Sequence, residues 1–356
     1  MAISRLCYAT REDVKTALDY KETARNNVQV DRAIESASDA VDGLLHRVFY
    51  TTDTTRMFDW PNFQGAYPWR IWFDAAELAD ITTNVPVVTS GGNVIAASSI
   101  FWGHPNYSPP YTYMELDRST SATFGQGLTP QRDVHITGTF GFTATTRPAG
   151  TLAADITTTT ATTCTVTDGS QVGVGNGLLI GTERLLVTGR ANTTTGQTQQ
   201  GTGVSTASSA DNVLAVTDGT SIFAGEVLTL DAERMLVLDV TGNNVTVQRA
   251  WDGTVLATHS GATIYASRLL TVTRGAQGTT AAAHSSGASV AVHLVPGLVR
   301  ELAVAYASVT LTSESSGWAK VWGEGGGSAS NLGRSVKELE CDAVRAFGRQ
   351  ARTRVV

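Results

Sequence analysis

The sequence lacks an excess of positive charge and a long apolar run, and each of these absences argues against a class of protein. Lysine occurs four times against 22 arginines, and the net charge is −6 over 356 residues. An acidic chain is not expected to bind nucleic acid over its whole surface. No apolar stretch is long enough to span a membrane, and residues 1–8 do not form a signal peptide. We therefore expect a protein made in a cytoplasm, with no membrane partner.

Cysteine is also scarce. Cys7, Cys164 and Cys341 lie far apart along the chain. Three is an odd number, and the spacing fits neither a disulfide framework nor a pair of metal ligands. The sequence therefore predicts three reduced thiols, no metal and no cofactor.

Helical periodicity is present at the N-terminal end. Thr10 followed by Asp13 matches a capping pattern, which predicts a short helix over 11–20. Over 30–48 the apolar residues recur at spacings of three and four, which predicts a second helix. A turn at Asn26-Asn27 is expected to separate the two helices.

Two more helices are predicted at the C-terminal end. Pro296 is tolerated in a first helical turn, so a helix is expected to begin there, and apolar spacing predicts a last helix over about 334–350. The Gly-rich segment 323–328 is expected to connect them flexibly. Helices this short are not stable alone, so their apolar faces must meet each other or a partner subunit.

Aromatic residues are concentrated in one region, since 12 of the 26 lie within 58–113. They either fill a compact β core or form a contact surface for another subunit, where Trp, Tyr and Arg are enriched. Strand patterns occur over 69–73, 81–88, 94–102, 111–116 and 133–142. The glycine-containing turn at 90–93 predicts that the strands beside it form a hairpin.

The middle of the chain contains duplications. Residues 166–170 return at 216–220 and residues 183–187 return at 233–237, both at an offset of 50. In a second repeat, offset by about 25 residues, segment 249–262 returns at 274–288. Such repeats with Asp-Gly and Gly-Thr turns predict small β units that stack or close as a barrel. Low hydrophobicity predicts exposed loops over 157–163 and 191–212.

Together these features predict an α+β fold. A small helical bundle formed by the N- and C-terminal helices, with a β-hairpin region, would carry a large inserted all-β domain. The predicted boundaries are 1–142, 143–294 and 295–356.

No constellation in the sequence favours catalysis. His259 and His284 stand at equivalent repeat positions, but neither has a second His or Cys at ligand spacing, which indicates a structural role. Asp168 and Asp218 precede glycines, as is typical of turns. The pattern Gly173-x-Gly175-x-Gly177 precedes no helix, which argues against a nucleotide site. We therefore expect that the protein is not an enzyme.

The C-terminal tail is basic. Over 331–356, six positive charges face three negative ones. The candidate partner interface consists of Lys337, Arg345, Arg349, Arg352 and Arg354. These residues are either a solvated helix face or a surface that docks onto an acidic neighbour through charge-assisted hydrogen bonds.

The order of these parts resembles the head-to-tail connector, or adaptor, proteins of long-tailed bacteriophages. The resemblance rests on Tyr8-Ala9-Thr10 before Glu12-Asp13-Val14, on a helix that ends at Arg47-Val48-Phe49, and on the strand 134–142 before the helix at Pro296. It covers 1–142 and 295–356. The motif Glu-Arg-x-Leu-Val in the insertion also resembles a β module of several phage structural proteins.

The resemblance implies a structural protein of the virion at the head–tail interface, made in the bacterial host cytoplasm. In that family the subunits form a homo-oligomeric ring, usually of twelve, between the portal protein and a stopper or tail completion protein. Double-stranded DNA passes through the ring without sequence-specific binding. The basic tail would then meet the portal.

Two other functions remain open from the sequence. The chain could be another virion structural protein, in the tail or as a decoration protein, whose β module binds the host or capsid surface. It could also be a wall-degrading enzyme, which would need carboxylates clustered in a groove.

Overall fold

The computed structural model describes residues 3–18, 24–60, 67–104, 106, 109–201, 204, 207–315 and 335–349, with the backbone alone for Ala24, Arg25, Asn26 and Ser315. Within these residues the chain is a mixed α+β protein with four α-helices and 17 β-strands. The predicted α+β class and the large β-rich region are confirmed.

The helices are α1 (Arg11–Leu18), α2 (Ala24–Leu45), α3 (Gly297–Ser315) and α4 (Val336–Phe347). The predicted cap of α1 is confirmed, because the Asp13 amide donates to Thr10 Oγ1 at 3.1 Å and the Thr10 amide donates to an Asp13 carboxylate oxygen at 3.0 Å. The predicted turn at Asn26-Asn27 is wrong, since α2 already begins at Ala24. Lys15 donates to the Asn27 side chain, which gives that amide a partner inside the first turns of the helix.

The strands follow the helices in chain order as β1 (Thr52–Phe58), β2 (Arg70–Trp72), β3 (Val87–Ser90), β4 (Asn93–Ile95), β5 (Ile100–Trp102), β6 (Tyr113–Leu116), β7 (Val134–Phe140), β8 (Thr146–Thr151), β9 (Thr163–Thr165), β10 (Gly177–Ile180), β11 (Glu183–Gln200), β12 (Val213–Val216), β13 (Val227–Leu230), β14 (Glu233–Thr241), β15 (Asn244–Gln248), β16 (Thr263–Thr273) and β17 (Ser289–His293).

The chain divides into two compact units. The first unit contains Met1–Val41, Thr146–Ala276 and Thr280–Arg345, and the second contains Asp42–Thr145, Gln277–Thr279 and Ala346–Val356. Packing thus groups most of the terminal helical sequence with the repeat-containing strands. The sequence-based division follows chain order instead, because it places boundaries where composition changes.

Ten strands of the first unit form one sheet that closes on itself twice. What we term the second barrel consists of β11, β12, β15, β14, β13 and β16, and it closes because β16 pairs back with β11. The first barrel consists of β8, β17, β10, β11, β16 and β9. It closes at the bridge between Leu152 and Val166, where the Thr167 amide donates to the Thr151 carbonyl at 2.9 Å. The long strands β11 and β16 belong to both barrels.

The sequence repeats coincide with these two barrels, which confirms the expected closed β units. The offset of 50 relates β9 and β10 to β12 and β13, and the offset of 25 relates β15 to the second half of β16. Most of the inward-pointing alternate residues of these strands are aliphatic, as expected for the filled interior of a small barrel. The buried residues of the second barrel include Leu214, Leu228, Leu230, Met235, Val245, Val247 and Ile264, and those of the first include Val166, Leu178, Ile180, Leu185, Val187, Leu270 and Val290.

The predicted loop over 191–212 is wrong in its first half, because residues 191–200 continue β11. This half consists mainly of Thr, Gln and Asn, and only Gln199 is buried within it. Thr fits a strand even where it is exposed, so low hydrophobicity did not indicate a loop here. Residues 157–162 do lie outside helices and strands, as predicted.

The second unit contains two smaller antiparallel sheets, with strand orders β1-β7-β3-β4 and β2-β6-β5. The hairpin of β3 and β4 is confirmed, and its turn residues Gly91 and Gly92 have φ angles of 55° and 83°. Strand β3 begins at Val87 and not at residue 81, because the Asp80 carboxylate accepts the amides of residues 82–84 and holds a turn there. The expected strand 94–102 is divided between two sheets by a 3₁₀ turn over Ala97–Ser99.

Part of the aromatic cluster fills the core of the second unit. Phe73 is buried beside Met114 and Ile136, and Phe58, Trp60, Trp69, Trp102 and Tyr111 pack against this core. Tyr67, Trp72 and Phe101 are instead exposed. The buried aromatic residues thus serve as core, as one of the two interpretations predicted. For the exposed ones, a role as a contact surface stays a prediction. Phe63 and Tyr107 lie outside the described residues.

Candidate functional site

The described part of the predicted interface is built on α4. Ser335 and Glu338 form a capping box, since the Ser335 amide donates to the Glu338 carboxylate at 2.8 Å and the Glu338 amide donates to Ser335 Oγ at 3.2 Å. Leu339 and Ala343 form the buried side of the helix. The exposed residues of the helix, which include Lys337, Cys341 and Arg345, are available to solvent or to a partner.

Lys337 and Arg345 are both exposed on α4. The Arg345 side chain is 84% exposed, and it pairs with Asp342 at 3.8 Å between Nη1 and Oδ1. An ion pair this exposed holds its partners weakly. Arg345 can therefore exchange this contact for a carboxylate of another protein.

Arg349 lies in a different environment, within the second unit. Its side chain is 23% exposed, Nη2 lies 3.9 Å from Glu77 Oε1, and its amide donates to the Leu45 carbonyl at 3.2 Å. Arg47 also contacts Glu77, with 2.9 Å between Nη2 and Oε1. Arg349 thus contributes to an internal cluster around a buried carboxylate. Arg352 and Arg354 lie outside the described residues, so their place in the interface stays a prediction.

Two buried carboxylates at equivalent repeat positions organise the barrels. In the second barrel Glu233 accepts hydrogen bonds from Arg249 at 2.7 and 2.8 Å, from the Ala250 and Ala257 amides, and from His259 Nε2 at 2.9 Å. Burial raises the pKa of a carboxyl group, but these donors, Arg249 first, lower that of Glu233 to about 2.

The first barrel repeats this arrangement around Glu183. Arg274 donates to both carboxylate oxygens at 2.7 Å, the Gly275 and Ala282 amides donate at 3.0 Å, and His284 Nε2 lies 2.8 Å away. The pKa of Glu183 is likewise lowered to about 2 against the effect of burial, by Arg274 before the other donors. Each carboxylate is therefore saturated by groups of its own barrel.

The sequence interpretation missed these glutamates as partners of the histidines, although a signal was present. Glu183 and Glu233 both begin a repeated Glu-Arg-x-Leu-Val motif. Their arginine and histidine partners also occupy equivalent positions of the second repeat, which relates 249–262 to 274–288. Metal-ligand spacing of His and Cys does not reveal such partners, because the partner of each histidine is a glutamate from a distant strand. The clusters join strands through a carboxylate, and the predicted structural role of both histidines agrees with these contacts.

The other patterns weighed in the sequence are used for local structure. Asp168 accepts the Ser170 amide at 2.8 Å, and Asp218 accepts the Thr220 amide at 3.0 Å, so each closes a turn. The glycine loop 173–177 receives the N-terminal segment: the Val174 amide donates to Glu12 at 2.8 Å. A Cβ atom at Gly173 would lie 2.6 Å from the Thr10 side chain, so glycine is required for this approach.

Among the described residues, no group of three or more His, Cys, Asp or Glu could hold a metal ion. None of the described helices is long and apolar enough to cross a membrane. Comparison with protein-family models, with curated proteins and with solved structures gives no match to this chain.

Proposed function

We propose that this chain is a structural protein of a long-tailed bacteriophage virion, an adaptor that forms a homo-oligomeric ring between the portal and a stopper or tail completion protein. Double-stranded DNA passes through the ring without sequence-specific contacts. The site of action is the head–tail interface of the virion.

The observation that carries the proposal is the contact between helices from opposite ends of the chain, within the first unit. Arg300 of α3 donates to Asp13 of α1, with 3.0 Å between Nε and Oδ2, and Arg32 of α2 donates to Glu314 of α3 at 2.8 Å. These contacts support a small bundle in which N- and C-terminal helices act together. The same order of parts is what resembles the connector family.

Helix α4 joins the same set of contacts. The Tyr306 hydroxyl donates to Glu340 Oε1 at 2.8 Å, and the pKa of Tyr306 is raised to about 12 by burial and by this carboxylate. The contact leaves the outer side of α4, with Lys337 and Arg345, free to meet a partner. We propose that this side docks onto an acidic surface of the portal.

The contacts of the two buried glutamates in the barrels support a structural role without catalysis. Glu183 and Glu233 are each surrounded by an arginine, a histidine and two amides of their own barrel. A carboxylate that acts as a general acid or base must reach its substrate and change its protonation state during the reaction. Carboxylates held ionised by this many donors instead serve as fixed links between strands.

Electron microscopy of the purified full-length protein tests the ring. We expect closed rings with a central channel, alone or after mixing with the portal protein of the same virus. A protein that stays monomeric under both conditions would contradict the proposal.

Charge reversal tests the docking surface on α4. Lys337→Glu combined with Arg345→Glu should weaken binding to portal particles at least tenfold, and the wild-type affinity should fall with added salt. The control, Arg56→Glu with Arg132→Glu, changes net charge equally at exposed positions of the second unit and should bind as the wild type does. An equal loss in both variants would remove α4 from the interface.

A truncation after Arg349 isolates the remaining basic residues, because it retains the contacts of Arg349 with Glu77 and Leu45. If Arg352 and Arg354 take part in docking, this variant should keep the stability of the full chain and lose portal affinity. Unchanged affinity for the portal would exclude both arginines from the docking surface.

A further inference from the structure

The two barrels differ at one turn next to their glutamate clusters. In the first barrel the turn between β10 and β11 has Gly181 with a φ of 60°, and in the second the equivalent residue between β13 and β14 is Asp231 with a φ of 50°. Glycine adopts this left-handed conformation at no cost, whereas Asp adopts it less readily. Asp231 also brings to this turn a carboxylate that the first barrel lacks.

Asp231 supplies a second carboxylate to His259. Nδ1 of His259 lies 2.7 Å from Asp231 Oδ2, and Nε2 lies 2.9 Å from Glu233 Oε2. The His259 side chain has no exposed surface, while that of Asp231 is 66% exposed. In the first barrel His284 has the contact of Nε2 with Glu183, but Gly181 has no side chain to offer to the other nitrogen.

Two carboxylate partners define the protonation state of the ring. An ionised carboxylate only accepts hydrogen bonds, and a neutral imidazole has one donor nitrogen and one acceptor nitrogen. A neutral His259 would turn a lone pair toward Asp231 or Glu233. We infer that His259 is an imidazolium ion that donates from both nitrogens, to Asp231 and to Glu233. We term these two charge-dependent hydrogen bonds the latch, and His284 does not form an equivalent pair.

The other charged groups around the latch fit this assignment. Arg249 pairs with Glu233 through both carboxylate oxygens and donates at 2.5 Å to the carbonyl of Ala257, two residues before His259. The nearby Asp211 carboxylate accepts the Val204 amide at 3.1 Å. Arg234 and Asp252 pair with each other at 3.3 Å. Asp231 and Glu233 are thus the carboxylates that contact the ring.

The latch ties the β13–β14 turn to the segment before β16. Loss of one ring proton replaces an attractive contact by a lone pair that faces a carboxylate. The second barrel should therefore loosen at this end as the pH rises, while the equivalent end of the first barrel responds less.

Nitrogen-15 NMR of the histidine rings in the full chain tests the inference, with resonances assigned through His259→Gln and His284→Gln. We expect His259 to keep both ring protons to a higher pH than His284, because Asp231 Oδ2 lies 2.7 Å from His259 Nδ1. Identical titration of the two rings would overturn the inference.

Two matched variants decide whether Asp231 is the cause. Asp231→Asn keeps a residue that tolerates the left-handed turn but removes the charge, so His259 should lose its difference from His284. Gly181→Asp supplies the missing carboxylate, since a Cβ atom at Gly181 would lie 4.0 Å from His284 Cε1, and His284 should then titrate as His259 does. If the titration of the His259 ring is unchanged in Asp231→Asn, Asp231 is not the cause. This outcome would decide the question even if Gly181→Asp failed to fold.

Discussion

Glu233 and Arg249 form a bidentate ion pair in which neither side chain has exposed surface. The Nε–Oε1 distance is 2.7 Å and the Nη2–Oε2 distance is 2.8 Å. Glu183 and Arg274 repeat this geometry in the first barrel, where both distances are 2.7 Å. Because water is excluded, each charge depends on its partner for stabilisation.

Neutralising one partner of this pair should be strongly destabilising. We expect Glu233→Gln to lower the free energy of unfolding by about 3–5 kcal/mol, because Arg249 then stays buried without a counter-charge. Urea unfolding followed by circular dichroism at pH 7 measures the change. Glu301→Gln, at an exposed position of α3, should stay within about 0.5 kcal/mol of the wild type. A loss below about 1 kcal/mol for Glu233→Gln would contradict this account.

The repeats made the barrels predictable from the sequence, but not the way their glutamates are paired. Glu233 and Arg249 are 16 residues apart, whereas Glu183 and Arg274 are 91 residues apart, because the second barrel is inserted within the first. Repeat offsets reveal equivalent positions within each half. They do not show which distant strands meet when one barrel interrupts the other.

The helices and the hairpin were predictable because their signals are local. The cap at Thr10 and the glycines at 91 and 92 act within a few residues. The environment of Arg349 was not predictable, because its contact with Glu77 joins positions far apart in the chain. A charge count over the tail treats Arg349 and Arg345 alike, although only Arg345 is mostly exposed.

Acid should destabilise the protein over a defined pH range. The pKa values of Glu183 and Glu233 are lowered to about 2 in the folded chain from 4.5. A group whose folded pKa is lowered contributes stability above its unfolded pKa and loses it as the pH falls toward the folded value. Unfolding free energy should therefore decrease between about pH 4.5 and pH 2, by about 2 kcal/mol for each glutamate.

Urea unfolding at pH 5, 4 and 3 measures this decrease. The double variant Glu183→Gln with Glu233→Gln should show a flatter dependence on pH than the wild type, provided that it folds. Single variants should lie between the two. Parallel curves for all four proteins would mean that other carboxyl groups cause the acid sensitivity.

The loops that follow the two arginines offer a matched pair of backbone substitutions. Ala250 has a φ of 54°, and the equivalent residue of the first barrel is Gly275 with a φ of 58°. Ala250→Gly should stabilise the protein by about 0.5–1 kcal/mol, because relief of left-handed strain exceeds the entropy that glycine loses on folding. Gly275→Ala should destabilise it by a similar amount. Thermal unfolding measures both, and equal signs for the two changes would refute the strain argument.

The thiols should differ sharply in reactivity. Cys341 is exposed, while Cys7 and Cys164 are buried, and burial raises the pKa of Cys7 to about 12 and that of Cys164 to about 11. Because the thiolate is the reactive form, a disulfide reagent at pH 8 should modify one thiol quickly in the native protein and three after unfolding in urea. Cys341→Ser should remove the fast reaction and leave the slow ones unchanged. Rapid modification of two thiols in the native wild type would show that the segment around Cys7 or Cys164 opens readily.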